Sequence, residues 1–267
     1  MQNQITILGS GTGMSSFYKP FDFRYPSGYL VQYKGENLLL DCSEGMRARL
    51  EKIKVDFFSI NNIFISHFHP DHFDIISFLQ SVYIRCIESG EKKTIKVFGP
   101  KDIGVKFEKI WDLLHEDGHY SKTYKSFVDV KFFDYFDKQK IIVNKNITIT
   151  PFKTIHGSMD AYSLRLSVSD KKICYSGDSS FSEGLVKAAE NVDLFICESL
   201  NSIGSKPDKS HLSPGEAGKI AKTAKAKHLI LTHYDGEHTD REMKEDVRKS
   251  GFTGEITIGK DFQTFKL

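Results

Sequence analysis

The amino-acid sequence predicts an α/β protein in which two β-sheets pack together and helices cover their outer faces. Short apolar runs typical of strands come in an early and a late set, with stretches of helical spacing between them. Two sheets covered outside by helices would bury both sets. With 267 residues, of which 39% are hydrophobic, the chain can bury a large core. Neither a linker nor a repeat divides it, so one domain over residues 1–267 is predicted.

The first half of the chain alternates predicted strands and helices. Residues 5–8 enter a glycine run at 9–13, which is a weak candidate for a phosphate-binding loop because no lysine follows it. Lys34-Gly35-Glu36 joins two apolar runs as a hairpin. The predicted elements are strands 5–8, 29–33, 37–40, 63–65 and 97–98, and helices 46–53, 73–87 and 105–114.

The second half is rich in strands before it ends in two helices. Ser213 with Glu216, and Thr239 with Glu242, have the spacing of capping boxes and predict where these helices begin. The predicted elements are strands 130–133, 141–143, 147–155, 161–168, 173–176, 194–197, 229–231 and 256–258, and helices 185–189, 213–224 and one after residue 239.

Composition narrows the class of protein. The net charge of +2 is too small to indicate a strongly basic nucleic-acid surface. Four widely spaced cysteines without a CxxC pair are typical of reduced thiols in a cytosolic protein. The first residues lack the features of a signal peptide, and no apolar run reaches the roughly 18 residues of a membrane span. A soluble, cytoplasmic protein is expected.

The segment from Ser66 to His72 carries the strongest functional signal. It places His67, His69, Asp71 and His72 within six positions, directly after an apolar run. Imidazole is a common neutral metal ligand, and aspartate supplies a hard anionic oxygen. His67 and His69 point the same way in an extended loop, whereas Pro70 is expected to open a helix whose first turn contains Asp71 and His72. Ligands in two directions favour two metals; a histidine-rich surface loop is the alternative.

Three further polar residues share one context, since each follows a predicted strand. These residues are His156, Asp178 and His233. Polar residues at strand ends are how an α/β scaffold presents a site on one rim. A lone histidine at a strand end is more often a structural residue, but the neighbouring cluster favours a shared site.

In this combination and order, the seven residues resemble the metallo-β-lactamase fold superfamily, and the resemblance covers residues 5–265. It implies a four-layer αββα sandwich with a two-metal site between the sheets. The implied ligands are His67, His69 and His156 for one metal, Asp71, His72 and His233 for the other, and Asp178 as a bridge.

The predicted cofactors are two divalent cations. Zinc suits histidine with bridging aspartate and water, while the carboxylate-richer second site also suits manganese or iron. Such a pair would activate a bridging hydroxide for in-line attack on phosphorus.

Two further segments resemble the phosphodiesterase branch of this superfamily, which includes ribonuclease Z. Residues 209–217 resemble its histidine-containing loop, which implies that His211 contacts the scissile phosphate and protonates the leaving oxygen. Residues 41–45 resemble its Asp-Cys-Gly-Glu-Gly turn, with Ser43 in place of a glycine. Asp71 and His211 are the predicted catalytic residues. Asp41 is expected to orient a metal-ligating histidine, and Glu198 is suggested for a similar role.

One departure from ribonuclease Z bears on the substrate. The common bacterial enzyme carries a long tRNA-gripping arm between the third histidine motif and the bridging aspartate. Here His156 and Asp178 are separated only by two short strands and a turn. The predicted function is therefore hydrolysis of a small or cyclic phosphodiester.

Several alternatives stay open at this point. An arm-less ribonuclease Z-like enzyme could process tRNA 3′ ends, gripping RNA with a dimer partner or residues 115–145. A thioester or lactone hydrolase on the same fold would not need His211. The non-enzymatic alternative is a metal-binding or nucleic-acid-sequestering module without turnover. A small phosphodiester is the expected partner, RNA a further candidate, a membrane is not expected, and a homodimer is suggested by analogy.

Overall fold

The computed structural model describes residues 3–13, 23–115, 123 and 126–267. Within them, the strands are β1 Gln4–Gly9, β2 Gly28–Tyr33, β3 Glu36–Leu40, β4 Asn62–Phe64, β5 Lys93–Gly99, β6 Val128–Asp134, β7 Ile141–Asn144, β8 Ile147–Lys153, β9 Tyr162–Val168, β10 Lys171–Tyr175, β11 Leu194–Glu198, β12 His228–Thr232, β13 Glu255–Ile258 and β14 Thr264–Lys266. The α-helices are α1 Met46–Lys52, α2 Ile75–Ser89, α3 Ile103–Leu114, α4 Glu183–Ala188, α5 Pro214–Thr223 and α6 Asp240–Lys249.

The strands form two mixed sheets. In the described part of the chain each sheet has seven strands, in the orders β14-β1-β2-β3-β4-β5-β6 and β13-β12-β11-β10-β9-β8-β7. Strands β3 to β6 are parallel to one another, and so are β10 to β13. Since β9 is antiparallel to both β8 and β10, the strands β8, β10 and β12 run in one direction and end at the same edge.

Side chains that alternate between the two faces of each strand form the buried layers between the sheets and beneath the helices. In β2, Tyr29 and Val31 belong to a buried cluster shared with the second sheet, whereas Leu30 between them packs with the helices α1 to α3. This is the period of two expected when both faces of a strand are buried. The outer face of the second sheet packs on α4 to α6. The predicted four-layer αββα arrangement is confirmed.

The helix after the histidine cluster begins later than expected. Pro70 and the two residues after it do not open α2; they form a separate turn, in which the N–H groups of His72 and Phe73 both donate to the carbonyl of His69 at 2.9 Å. The chain then pairs with Cys42, which receives an N–H bond from Asp74 and donates one to His72. This pairing keeps the segment extended, so α2 begins only at Ile75.

Two strand predictions were also wrong in detail. β8 ends at Lys153 rather than at residue 155. The last strand, β14, was missed, and it pairs with β1 in the first sheet although it ends the chain. The early and late sets of strands therefore do not separate completely into two sheets.

Two observations bear on environment. The four cysteines are free and buried, as expected for reduced thiols. Within the described ranges, no helix is long and apolar enough to cross a membrane.

Candidate metal centre

All seven predicted ligands converge at one edge of the two sheets. The loop after β4 carries four of them, and His156, Asp178 and His233 follow β8, β10 and β12. They fall into a first ligand group (His67, His69 and His156) and a second ligand group (Asp71, His72 and His233), with Asp178 beside both.

In the first ligand group the nitrogen atoms lie close to one oxygen of Asp178. Its Oδ2 is 3.7 Å from Nε2 of His67 and 3.8 Å from Nε2 of His156. Nε2 of His156 is also 3.1 Å from Nδ1 of His69. Three imidazole nitrogens and a carboxylate oxygen thus surround one point.

In the second ligand group the other oxygen of Asp178 takes part. Oδ1 lies 3.2 Å from Nε2 of His72 and 3.4 Å from Nε2 of His233. Those two nitrogens are 3.2 Å apart, and Oδ2 of Asp71 is 3.4 Å from Nε2 of His233. The two oxygens of one carboxylate therefore face different ligand groups.

These separations fit a divalent metal. Ligand atoms at about 2.0–2.1 Å from a tetrahedral zinc lie roughly 3.3 Å from one another. The neighbouring ligand atoms in both groups are 3.1–3.8 Å apart. Nε2 of the fully buried His67 has no hydrogen-bond partner among the described residues, which would be costly without a metal.

A hydrogen-bonded layer behind the ligands fixes two of the rings. Asp41 accepts from Nδ1 of His72 at 2.7 Å, from the Ser66 amide at 2.6 Å and from the Tyr175 hydroxyl at 2.5 Å. Nδ1 of His156 donates to the carbonyl of Ser210 at 2.7 Å. Each contact leaves Nε2 of its ring directed at the site, which is the geometry expected of Asp41.

Burial and charge together set the protonation states of the ligands. Burial and the neighbouring His72 hold the pKa of His67 well below its ordinary value, so this imidazole is neutral and ready to bind a metal. Burial also opposes a charge on His72, but the carboxylates of Asp178 and Asp41 outweigh it and raise its pKa. The pKa of Asp178 is well below its usual range, because His233 and His72 outweigh its burial.

His211 lies at the mouth of the same site. Its Nδ1 is 3.0 Å from Oε1 of Glu198 and 3.9 Å from Oδ2 of Asp178, and the side chain is 18% exposed. Burial lowers its pKa, but Glu198 more than compensates and raises the pKa to about 9. His211 is therefore an imidazolium at neutral pH.

Glu198 differs from the expectation. The sequence suggested that it orients a metal-ligating histidine, but it contacts His211 instead, because β11 ends at this residue, beside the loop that carries His211. It also accepts the amide of Ser179 at 2.8 Å. Glu198 thus ties the phosphate-binding candidate to the turn that holds Asp178.

Three groups that orient the predicted ligands were not identified by the sequence analysis. They are the hydroxyl of Tyr175, the carbonyl of Ser210 and the amide of Gly13, which donates to Oδ2 of Asp71 at 2.9 Å. Tyr175 offered a weak signal, as a polar tip near the end of an apolar strand. The other two are backbone groups, which every residue type shares.

The profile of one protein family, described as "Anti-Pycsar protein Apyc1", matches residues 3–260 of this chain. A ribonuclease Z of Borreliella afzelii is 28% identical over 309 residues, which cover 96% of this chain and 94% of that protein. A probable metallo-hydrolase of Bacillus subtilis, YhfI, is 29% identical over 260 residues, covering 96% of this chain and 97% of that protein.

Solved structures agree with the sequence comparisons. The crystal structure of the metallo-β-lactamase fold protein YhfI from Bacillus subtilis superposes with a TM-score of 0.80 at 26% identity, covering 98% of each chain. Human tRNase Z, short form, has a TM-score of 0.73 at 22% identity and also covers 98% of each chain, which shows the shared fold. The predicted fold and the prediction of a metal-dependent hydrolase are confirmed.

Proposed function

Because this chain belongs to the family of the anti-Pycsar protein Apyc1, we propose that it is a dinuclear metal phosphodiesterase whose substrate is a cyclic nucleotide. The observation that carries the proposal is the division of the Asp178 carboxylate between two ligand groups, with the imidazolium of His211 beside it. That arrangement suits a phosphodiester, which has anionic oxygens to bind and a leaving oxygen to protonate.

The metal ligands in this proposal are the seven residues already described. The first ligand group would hold one cation, the second ligand group the other, and Asp178 would bridge them. Zinc suits the histidine-rich first group, while the extra carboxylate of Asp71 makes manganese or iron acceptable in the second. When bound, two such cations would polarise a phosphoryl oxygen and lower the pKa of a water molecule.

His211 has two tasks in the proposed reaction. Glu198 holds Nδ1–H, so the remaining ring nitrogen carries a proton that can bond to a phosphate oxygen. As the phosphorus–oxygen ester bond breaks, His211 donates that proton to the leaving oxygen. Positioned general acids of this kind contribute about 10²–10⁴-fold to rate.

The size of the substrate follows from what surrounds the site. Between His156 and Asp178 the chain contains β9 and β10, joined by a tight turn at Ser169 and Asp170. A tRNA-gripping arm has no place there, and phosphate contacts dominate RNA affinity. Residues 116–122 and 124–125, part of the other RNA-gripping candidate, lie outside the described residues. These features support a small substrate.

A substrate screen tests the proposal. The zinc- and manganese-loaded protein is incubated with purine and pyrimidine 3′,5′-cyclic nucleotides, bis(p-nitrophenyl) phosphate and a 3′-extended pre-tRNA, and products are separated by chromatography. We expect a linear nucleoside monophosphate, with turnover lost in His211→Ala although its metals are retained. A two-metal protein that hydrolyses no cyclic nucleotide overturns the proposal. Cleavage of pre-tRNA would replace it with RNA processing, and an esterase activity that survives His211→Ala would indicate a thioester or lactone hydrolase.

We further propose a homodimer. At the end of helix α3 the apolar side chains of the adjacent residues Leu113 and Leu114 are more than half exposed, and exposed apolar side chains that lie together are typical of a protein–protein contact. Light scattering should give about twice the mass of the chain, and Leu113→Ser with Leu114→Ser should give a monomer. A monomeric wild-type protein contradicts this.

We also propose a cytoplasmic location, which the four free, buried thiols support. Fractionation of cells that produce the protein tests it. Recovery of the protein outside the cytoplasm would overturn it.

A further inference from the structure

We propose that the N-terminal loop (residues 10–13) positions the second ligand group, and that Asp261 holds this loop in place. The inference rests on the metal assignment proposed above. It gives a role to the glycine run after β1, which lacks the features of a phosphate-binding loop.

Two backbone hydrogen bonds connect the loop to the second ligand group. The N–H of His233 donates to the carbonyl of Ser10 at 2.7 Å. The N–H of Gly13 donates to Oδ2 of Asp71 at 2.9 Å. A segment of four residues thus contacts two of the three ligands in this group.

The ring of His233 lacks the kind of contact that holds two of the other histidines. The rings of His72 and His156 are held through Nδ1 by Asp41 and Ser210. Nδ1 of His233 has no hydrogen-bond partner among the described residues, although its side chain is buried. Its backbone has a φ of 52°, in the left-handed region that costs an ordinary residue roughly 1–2 kcal/mol. The bond to Ser10 therefore fixes a backbone that would otherwise relax.

Asp71 gains a defined orientation from Gly13. Its Oδ2 is the oxygen that faces Nε2 of His233 at 3.4 Å and Nε2 of His72 at 3.8 Å. Because the Gly13 amide occupies one lone pair of this oxygen, the other lone pair is left for the ligand site.

Asp261 anchors the loop from the opposite end of the sequence. Its Oδ1 accepts from the amide of Ser10 at 2.8 Å and from the Ser10 hydroxyl at 2.7 Å. Its Oδ2 accepts from the amide of Tyr25 at 2.9 Å, and the carbonyl of Tyr25 accepts from Gly11 at 2.9 Å. One carboxylate therefore fixes both the loop and the strand entry beside it.

A pair of substitutions at Gly13 isolates the amide. Gly13→Pro removes the N–H, whereas Gly13→Ala keeps it and adds a Cβ in ordinary contact, 3.4 Å from Cβ of Asp71. Metal-free protein is titrated with Zn²⁺ or Mn²⁺, and both dissociation constants are measured by calorimetry. We expect Gly13→Ala to bind two metals as the wild type does, and Gly13→Pro to bind one normally and the other about 10–100-fold more weakly.

Asp261→Asn provides a second variant that leaves the loop backbone unchanged. We expect it to weaken the same single metal, in the direction of Gly13→Pro. Asp193→Asn is its matched control, because Asp193 also accepts a backbone amide, from Lys172 at 2.9 Å, but directly before β11, at the end of that strand away from the predicted ligands. If Gly13→Pro does not fold, Asp261→Asn decides the question alone.

A double substitution tells which site is affected. The variant His233→Ala lacks one residue of the second ligand group and is expected to bind only the other metal. In that background, Gly13→Ala and Gly13→Pro should bind the remaining metal with equal affinity. The proposed role would be overturned if the two Gly13 variants differed in the His233→Ala background, or if both metals were weakened equally. Wild-type affinities in Gly13→Pro and Asp261→Asn would also overturn it. If Asp178→Ala also keeps both metals, the metal assignment itself fails.

Discussion

Asp178 is buried between five imidazoles, and its charge is the one that both ligand groups share. Replacing it with alanine removes the carboxylate that both ligand groups share, and with it the proposed bridge. We expect Asp178→Ala to lose most of both metals, as measured by elemental analysis of protein purified without a chelator. His228→Ala is the control, since His228 begins β12 at the opposite end and bonds to Thr257. Normal metal content in Asp178→Ala would contradict the bridging assignment.

Glu198 determines how far into alkaline conditions His211 stays protonated. Glu198 raises the pKa of His211 to about 9, against a burial effect that lowers it. The acid form is therefore present at neutral pH and is lost as pH rises through about 9. Without the Glu198 carboxylate, burial is opposed only by the weaker attraction of Asp178 and Asp208, and the pKa of His211 falls toward its ordinary value of about 6.5.

The prediction is that Glu198→Gln keeps both metals and shifts the alkaline limb of the pH–rate profile down by at least about two units, toward the ordinary pKa of a histidine. Turnover at pH 8 should fall about 10-fold or more, because less of the enzyme carries the proton. The check is a pH profile of kcat with metal content measured in parallel. An unmoved alkaline limb would show that another group controls it.

Whether a contact at the site could be predicted from the sequence depends on whether a side chain or a backbone group makes it. The seven predicted ligands, which do lie together, were picked out because histidine and aspartate at these spacings are rare without a metal role. The contact of Glu198 with His211 was not predicted, since it joins the end of β11 to a loop that is distant in sequence. The amide of Gly13 and the carbonyl of Ser10 left no trace in the sequence, because every residue offers the same groups.

At the level of elements, the capping box of α5 connects helix stability with the site. Ser213 accepts from the amide of Glu216 at 3.3 Å, and Glu216 accepts from the amide of Ser213 at 2.9 Å. The box begins the helix two residues after His211. A frayed first turn would therefore also loosen the segment that carries His211, the proposed general acid.

Thr239 and Glu242 form the same box at α6, which makes a matched comparison. We expect Ser213→Ala and Thr239→Ala each to lower the free energy of unfolding by about 1 kcal/mol. Only Ser213→Ala should also lower kcat, by several-fold. Denaturant unfolding and steady-state kinetics on both variants test this; equal kcat values would separate the helix start from catalysis.

Helices and strands with a clear hydrophobic period or a local turn or cap signal could be predicted from the sequence. Elements that exist only through backbone pairing with a distant segment could not. The hairpin of β2 and β3 and both capped helices were predicted from local chemistry. β14 was missed because its three residues include only one that is apolar, and it exists through its pairing with β1. The predicted start of α2 was wrong because the backbone pairing with Cys42 outweighs the preference of Pro70 for the first position of a helix.

For the whole molecule, the site joins the two sheets. Four of the proposed ligands follow β4 in the first sheet, and three follow strands of the second. The buried cluster between the sheets includes Ile7 and Phe64 from the first and Leu166 and Ile230 from the second. We propose that the chain is one domain, which would mean that neither sheet keeps its core without the other.

That proposal predicts one cooperative unfolding transition, in both the metal-loaded and the metal-free protein. A metal that binds only the native state stabilises it by about 2.7 kcal/mol at 100 times its dissociation constant. For a chain of this size, about 1 kcal/mol shifts Tm by roughly 2–4 °C, so removing two metals should lower Tm by about 10 °C or more. Differential scanning calorimetry with and without a chelator measures both quantities. Asp178→Ala should respond little to the chelator, whereas two separate transitions in the metal-free protein would contradict a single domain.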